Sequence, residues 1–222
     1  MKLGGHAEYV ALPETGAFAP MPAAMSYTDA AAIPFGFGTA FSFLRKAQVA
    51  QGQRVLIYGA SGAVGSAAVQ LAKTMGAQVT GVCSTRNVEL VRSFGANEVL
   101  DYTKDDILAK RDQYDVVFET VGKLPFKESL ALVKQNGTLI TGSEMPAQMF
   151  ARLFTGKGGK RAKVIGGTAL STPADMQYLA QLCAAQAIRP VIDQVLPLER
   201  IVEAHARAES GRKVGNVVVE MG

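Results

Sequence analysis

Two hydrophobic periods alternate along most of this chain. Apolar runs at residues 55–58, 78–83, 98–100, 114–119, 138–141 and 163–166 are short and rich in β-formers. Strands covered on both faces of a sheet read this way. Between them the apolar positions switch to helical spacing. Val64, Ala68, Leu71, Ala72 and Met75 form one stripe, closed by Gly76 at the position of a left-handed C-cap. Leu90, Val91 and Phe94 form another, stopped by Gly95, and residues 125–133 a third, ended by Asn136-Gly137. Strand–helix alternation with short turns predicts an α/β fold. Its core is a doubly wound sheet of six parallel strands joined by right-handed crossovers.

The flanks read differently. Residues 6–12 suggest a strand, followed by extended chain through Pro13, Pro20 and Pro22. Ser26 or Thr28 can cap a helix with Asp29 in its first turn. Pro34 should break that helix, and a second should span 36–47 with Phe37, Ala40, Phe41 and Leu44 inward. A short helix is expected at 103–110, capped by Thr103, and another at 149–154. After Gly167 the expectation is helix 173–185, strand 189–195, helix 198–209 with Leu198, Ile201, Val202 and His205 on one side, and strand 216–220. Both chain ends thus offer strands outside the six-stranded sheet.

Residues 54–75, RVLIYGASGAVGSAAVQLAKTM, carry the clearest chemistry. A strand, a glycine turn and a helix follow one another directly, with Gly59, Gly62 and Gly65 at three-residue spacing. Free amides and the positive end of the helix dipole converge on such a turn and make it an anion site. Glycine permits an unusual turn and close approach of a pyrophosphate or of the strand. The spacing departs from G-x-G-x-x-G at its first glycine, but the context is that of a dinucleotide site. A plain strand–helix turn is the alternative. No Lys-Ser or Lys-Thr follows the last glycine, which excludes a P-loop.

In such folds a carboxylate ending the second strand accepts bonds from the adenosine ribose, favouring NAD. Here that end reads Cys83-Ser84-Thr85-Arg86-Asn87, two hydroxyls and a guanidinium with no acid. Arg86 can hold a 2′-phosphate by paired, charge-assisted bonds. NADPH is therefore the expected cofactor, the alternative for Arg86 being a solvated residue at a helix start. The missing acid also weighs against S-adenosylmethionine, which carries the same ribose hydroxyls. Tyr102 can stack on adenine or lie on the surface. Val121-Gly122 and Gly142-Ser143 end the fourth and fifth strands, where ligands of open parallel sheets bind. Those glycines either admit ribose and nicotinamide or are ordinary turn glycines.

Composition adds bounds. The 222 residues are 48% hydrophobic and 19% charged, enough for one sizeable core. A net charge of +4 does not argue for nucleic acid. Two cysteines, Cys83 and Cys183, build neither a zinc site nor a disulfide framework, so no metal is expected. A soluble protein of a reducing, cytoplasmic compartment is expected, with no signal peptide and no membrane span.

The ordered motifs GGHAEYVALPE (4–14), AAAIPFGFGTAFSFL (30–44), VLIYGASGAVGSAAVQLAK (55–73), VCSTRNVELVRSFGANEVLDY (82–102), RPVIDQVLPLERIVEAH (189–205) and GRKVGNVVV (211–219) resemble the medium-chain dehydrogenase/reductase superfamily, in its zinc-free quinone oxidoreductase branch. The resemblance covers essentially the whole chain. It implies that Ser61, Gly62, Ala63 and Val64 cradle a pyrophosphate. It places Ser84, Arg86 and Tyr102 at the adenosine 2′-phosphate, and Thr39, Val121, Gly122 and Gly142 near the nicotinamide. It implies hydride transfer from NADPH to a quinone or an α,β-unsaturated carbonyl. It divides the chain into a remnant of a GroES-like catalytic domain (1–24), a nucleotide-binding domain (25–186) and a C-terminal return (187–222). Most of that catalytic domain, which supplies much of the substrate pocket in the family, is expected to be missing, so no catalytic residue can be named. The resemblance also implies a homodimer through the sixth strand, with Val164 and Ile165 near the two-fold axis.

Other readings narrow quickly. His6 and His205, the two histidines, read as structural or surface residues. No tyrosine is followed four positions on by lysine, as a short-chain dehydrogenase requires. The basic run Lys157, Lys160, Arg161, Lys163 reads as a solvated loop rather than a nucleic-acid patch. Two function classes remain: an NADPH-dependent reductase acting on a small quinone or enone, and an NADP(H)-binding module without catalysis of its own. The strands at 6–12 and 216–220 are expected to pair with each other, to pack on a partner, or to be poorly ordered.

Overall fold

The computed structural model describes residues 5–7, 9–142 and 162–221. Six parallel strands form one sheet: β1 (Arg54–Tyr58), β2 (Gln78–Cys83), β3 (Glu98–Asp101), β4 (Tyr114–Glu119), β5 (Val133–Thr141) and β6 (Lys163–Ile165), in the spatial order β3-β2-β1-β4-β5-β6. The order reverses between β1 and β4, so their carboxyl ends diverge into a crevice. Helices α1 (Tyr27–Ala31), α2 (Gly38–Lys46), α3 (Ala63–Thr74), α4 (Val88–Ser93) and α5 (Phe126–Leu132) precede or connect these strands. After β6 come α6 (Pro173–Ala184), β7 (Ile192–Pro197), α7 (Ile201–Glu209) and β8 (Asn216–Glu220).

The two faces of the sheet bury separate cores. Val55, Ile57, Val116, Phe118 and Ile140 pack with Phe37, Phe43, Leu44, Leu71 and Leu179 on one side. Leu56, Val82, Val117, Leu132 and Leu139 pack with Tyr114 and Ile107 on the other. Phe43 and Phe118 meet edge to face at 5.7 Å, a geometry their ring quadrupoles favour. Strands covered on both faces explain why the apolar runs are continuous rather than alternating.

Glycine sets how closely α3 can approach β1. A Cβ on Gly65, in the first turn of α3, would stand 2.0 Å from the carbonyl oxygen of Gly59. Gly59 itself has φ +84, and a Cβ there would overlap Val121. Only glycine meets both conditions. Gly76, past the end of α3, has φ +79, the left-handed cap expected from the sequence.

Several local expectations need correction. No strand forms in the described part of 6–12. The edge of His6 instead meets His205 of α7, with ring centroids 5.6 Å apart. The first helix ends at Ala31, before Pro34 as expected, but Pro34 leaves no extended break behind it. It sits at the start of a π-helical turn, Ile33–Phe37, where its missing N–H costs nothing, and this turn leads directly into α2. At 103–110 only a 3₁₀ turn forms, Ile107–Lys110, and Asp106 caps it rather than Thr103. Asp105 and Thr103 are committed elsewhere, Asp105 accepting the backbone amide of Asp101 and Thr103 bonding its carboxylate. Asn136-Gly137 does not end α5. It bends the start of β5, and α5 stops at Leu132. The expected helix at 149–154, Ser143 and the basic residues Lys157, Lys160 and Arg161 lie outside the described residues.

The C-terminal part forms its own unit. β7 pairs with β8 in parallel, from Ile192↔Asn216 to Pro197↔Glu220. The strand at 216–220 therefore finds its partner at 192–197, not at the N-terminus. Of the residues expected on one side of this helix, Ile201 is half-buried while Val202 is 79% exposed and His205 exposed, and the buried residue of α7 is Ala204. The Arg207 guanidinium holds Asp193 of β7 through two bonds, at 2.6 and 2.9 Å, and Val214 donates its amide to the same carboxylate. These bonds hold the Asp193 carboxyl below its usual range, the Arg207 bond being the largest cause. A carboxyl depressed by folding stabilises the fold above its unfolded value and loses that contribution as pH falls.

Two outcomes follow. Gly65→Ala should destabilise the protein by about 1–3 kcal/mol, because the β1 backbone cannot retreat from the added methyl. Urea denaturation measures it, and an unchanged midpoint would contradict the close approach. Asp193→Asn should lower the melting temperature at pH 6. The gap from the parent should close as pH falls below about 3.9, the ordinary aspartate value, and a pH-independent gap would rule out the ion pair as its cause.

Candidate cofactor site

The glycine turn joins β1 to α3 at the crevice. Gly59 and Ala60 both donate their amides to the Val82 carbonyl of β2, at 3.0 and 2.9 Å, which ties the turn to the neighbouring strand. Gly62 is the N-cap of α3, in extended conformation. An added Cβ there would meet only the Gly59 oxygen, at 3.5 Å, so the outer side of the turn is open. The amides of Ala63, Val64 and Gly65 begin α3 and have no acceptor inside the helix. A pyrophosphate fits this surface: it is free of side chains at Gly62 and lies on the positive end of the helix dipole.

The other residues singled out in the sequence lie at the carboxyl ends of neighbouring strands. Ser84 follows β2 and Arg86 lies in the turn after it; Tyr102 follows β3. Tyr102 is 52% exposed, and its ring stacks on Tyr58, the last residue of β1, with centroids 6.4 Å apart. Burial raises the Tyr58 hydroxyl above its usual range and the Glu119 carboxylate adds to the effect, so Tyr58 stays a neutral phenol. Arg86 is exposed and donates to the Arg212 carbonyl at 2.9 Å, which brings its guanidinium to the C-terminal arm.

On the far side of the switch point, Val121 and Gly122 follow β4 and Gly142 follows β5. Their loop is built on a buried acid. The Glu119 carboxylate accepts from the amides of Val121, Gly122 and Lys123, at 2.7–3.2 Å. Gly142 donates its amide to the Glu119 carbonyl at 2.8 Å. Thr120 returns to β1, its hydroxyl donating to the Tyr58 carbonyl at 2.8 Å. Thr39, half-buried in the first turn of α2, follows Gly36 by one turn, and a Cβ on Gly36 would stand 2.9 Å from the Ala63 oxygen. Thr39 aside, the fold therefore places the candidate positions along the carboxyl edge of the sheet. Ser84 to Tyr102 lie on the β2–β3 side, and Val121 to Gly142 on the β4–β5 side.

Two contributions escaped the sequence reading. Asn87, buried behind the turn, donates from one amide nitrogen to the hydroxyls of Ser61 and Ser84, at 3.0 and 3.3 Å, and so locks the turn to the end of β2. A buried asparagine next to a glycine turn leaves no periodic signal. The second is the arm before β8. Gly215 donates its amide to the Ser61 carbonyl at 2.8 Å, and Gly62 and Gly215 form a parallel bridge. Arg212 and Lys213 come with it. Burial lowers the Lys213 ammonium below its usual range, and its Nζ donates to the Gly215 carbonyl. The basic residues of 212–213 were visible, but their place beside residue 61 follows only from the fold.

A metal finds no equivalent. Among the described residues no three His, Cys, Asp or Glu side chains come together as ligands. Cys83 is buried at the end of β2, and burial pushes its thiol up to about 11, with Asp101 adding to the rise. A thiol held protonated is a poor zinc ligand. Among the described residues no helix is long and apolar enough to cross a membrane.

Comparison with known proteins agrees with this architecture. Residues 94–219 match the family described as zinc-binding dehydrogenase. The chain is 32% identical to a 2-methylene-furan-3-one reductase of Solanum lycopersicum, over 98% of this chain and 53% of that protein. It is 30% identical to an NADPH-dependent alkenal/one oxidoreductase, chloroplastic, of Arabidopsis thaliana, over 98% of this chain and 53% of the relative. Among solved structures it superposes on the quinone oxidoreductase from Thermus thermophilus, which is also known as its complex with NADPH. The TM-score there is 0.76 at 31% identity, covering 98% of this chain and 74% of that one. The chain spans about half the length of the curated relatives it matches. By sequence and by fold, the chain belongs to the zinc-binding dehydrogenase family of the medium-chain dehydrogenase/reductase superfamily, on the side of its quinone oxidoreductases.

Proposed function

We propose that this chain binds NADPH across the carboxyl ends of β1–β5 and serves an NADPH-dependent reductase of quinones or α,β-unsaturated carbonyls. One observation carries the reading: an open glycine turn at a helix start, with an arginine on the β2 side and no acid at the end of β2. When bound, NADPH supplies the hydride. The amides of Ala63, Val64 and Gly65 would hold the pyrophosphate, and Gly62 leaves room for it. Arg86, with Ser84, would meet the 2′-phosphate by charge-assisted bonds, and Tyr102 would lie against adenine. Gly59 and Gly65 keep the turn tight against β1. Val121, Gly122, Gly142 and Thr39 would border the nicotinamide, on a loop that Glu119 holds rigid. Orientation of the two reactants is what such a scaffold contributes to the rate.

The relatives support this reading by their names, which describe reductases and oxidoreductases of alkenals and quinones. The division into segments 1–24, 25–186 and 187–222 accompanies it as part of the proposal. So does a homodimer formed along β6, the edge strand of the sheet, whose Val164 and Ile165 pack on opposite faces within the chain. Two free thiols, Cys83 and Cys183, suit a reducing compartment such as the cytoplasm. The alternative reading is an NADP(H)-binding module that turns nothing over, the candidate positions being ones for holding the cofactor, with no residue assigned to catalysis.

Cofactor titration separates these readings. NADPH should bind at least about tenfold tighter than NADH. Arg86→Ala should remove most of that margin while leaving NADH unchanged. Equal affinity of the parent for both cofactors would refute the 2′-phosphate assignment. NADPH oxidation against a panel of quinones and enones then tells the reductase from the module: binding without turnover on any acceptor supports the module.

A further inference from the structure

The end of β2 carries no acid, yet a carboxylate stands directly beside it. Cys83, which ends β2, is paired in register with Asp101, which ends β3. Asp101 is 6% exposed, although Tyr102, Thr103 and Lys104 after it are all exposed. Both of its carboxylate oxygens are occupied. Oδ2 accepts from the Thr85 hydroxyl at 2.5 Å. Oδ1 accepts from the Thr103 amide at 3.0 Å and the Thr103 hydroxyl at 2.7 Å. The two hydroxyls are 3.0 Å apart, and the Lys104 ammonium lies 3.8 Å from Oδ2. Asp105 accepts the Asp101 backbone amide at 2.7 Å, which fixes the turn around it.

This placement has a consequence for the adenosine end of the cleft. Thr85 immediately precedes Arg86, and Asp101 immediately precedes Tyr102. Among the described residues no carboxylate pairs with Arg86, whose described bond goes to a neutral carbonyl. The charge of Asp101 therefore sits next to the residues assigned to the 2′-phosphate, but it is bound on both oxygens by hydroxyl and amide donors and turned away from solvent.

Building on the NADPH reading above, we propose that Thr85 and Thr103 form a hydroxyl cage that sequesters Asp101, and that this cage is a determinant of cofactor choice. A free carboxylate at this corner of a dinucleotide fold accepts bonds from the ribose hydroxyls and repels a 2′-phosphate. The cage occupies the oxygens that would accept the ribose hydroxyls and partly offsets their charge, so Arg86 dominates the local field. Selectivity thus depends on neutral residues that need never touch the phosphate. The cage also holds the Asp101 carboxyl below its usual range, the Thr85 bond being the largest cause, so the group remains an anion that must be contained.

Thr85→Val tests this, because it keeps the shape of an exposed side chain and removes only its hydroxyl. Dissociation constants for NADPH and NADH, from the fluorescence of the reduced cofactors, give the selectivity ratio. The ratio should fall about tenfold in Thr85→Val, stay at the parent value in Thr85→Ser, and return to the parent value or above in Thr85→Val/Asp101→Asn. Thr103→Val should act in the same direction as Thr85→Val. A merely structural staple between β2 and β3 would weaken both cofactors alike, and adding Asp101→Asn would not restore the ratio. Either result overturns the inference while leaving the NADPH reading intact. A parent protein that binds neither cofactor overturns both.

Discussion

The architecture depends on one close approach. The first turn of α3 lies against the exit of β1 so tightly that Gly65 has room for no more than hydrogen beside the Gly59 carbonyl. That contact fixes where the helix begins, and so where its unsatisfied amides point. It also forces Gly59 into the left-handed region and presses it against Val121, which links the turn to the loop after β4. The candidate anion-binding surface and the loop on the far side of the switch point are therefore consequences of the same packing constraint.

Polar groups then lock the surrounding loops, and each does so from a buried position. Asn87 joins the glycine turn to β2, Glu119 gathers the amides of three successive loop residues, and Asp101 organises the turn after β3. Buried polar atoms are costly unless bonded, so these residues hold single loop conformations rather than many. The site that results is largely preformed. A ligand that finds its donors already oriented loses less conformational freedom on binding.

The C-terminal unit enters the site from outside the sheet. β7, α7 and β8 form a small parallel pair held by the Arg207–Asp193 ion pair, and its Gly215 bridges the glycine turn at Gly62. A segment far along the chain thus forms one wall of the candidate cleft. The basic pair Arg212–Lys213 arrives with it, the Lys213 ammonium donating to the Gly215 carbonyl.

How much of this was legible depends on the range of the forces involved. The six strands, their order of use and the glycine turn follow from local patterns. Burial on two faces demands continuous apolar runs, and a tight strand-to-helix turn demands glycine at fixed spacing. Arg86 and the missing acid at the end of β2 were readable for the same reason, being defined by position within one strand. Short segments were less legible. The described part of residues 6–12 has strand-like composition but pairs with no strand, because the pairing that would stabilise it is not a local property. Thr103 looked like a helix cap because hydroxyls serve caps and carboxylates equally well; the register of β2 against β3 gave it to Asp101. The chain alone determined that a glycine-rich strand-to-helix turn exists and which residues stand beside it in sequence. The tertiary structure alone decided that Asn87, Asp101 and the arm at 212–215 converge there, since hydrogen bonds between residues 16 to 154 positions apart are not set by the local pattern of the chain.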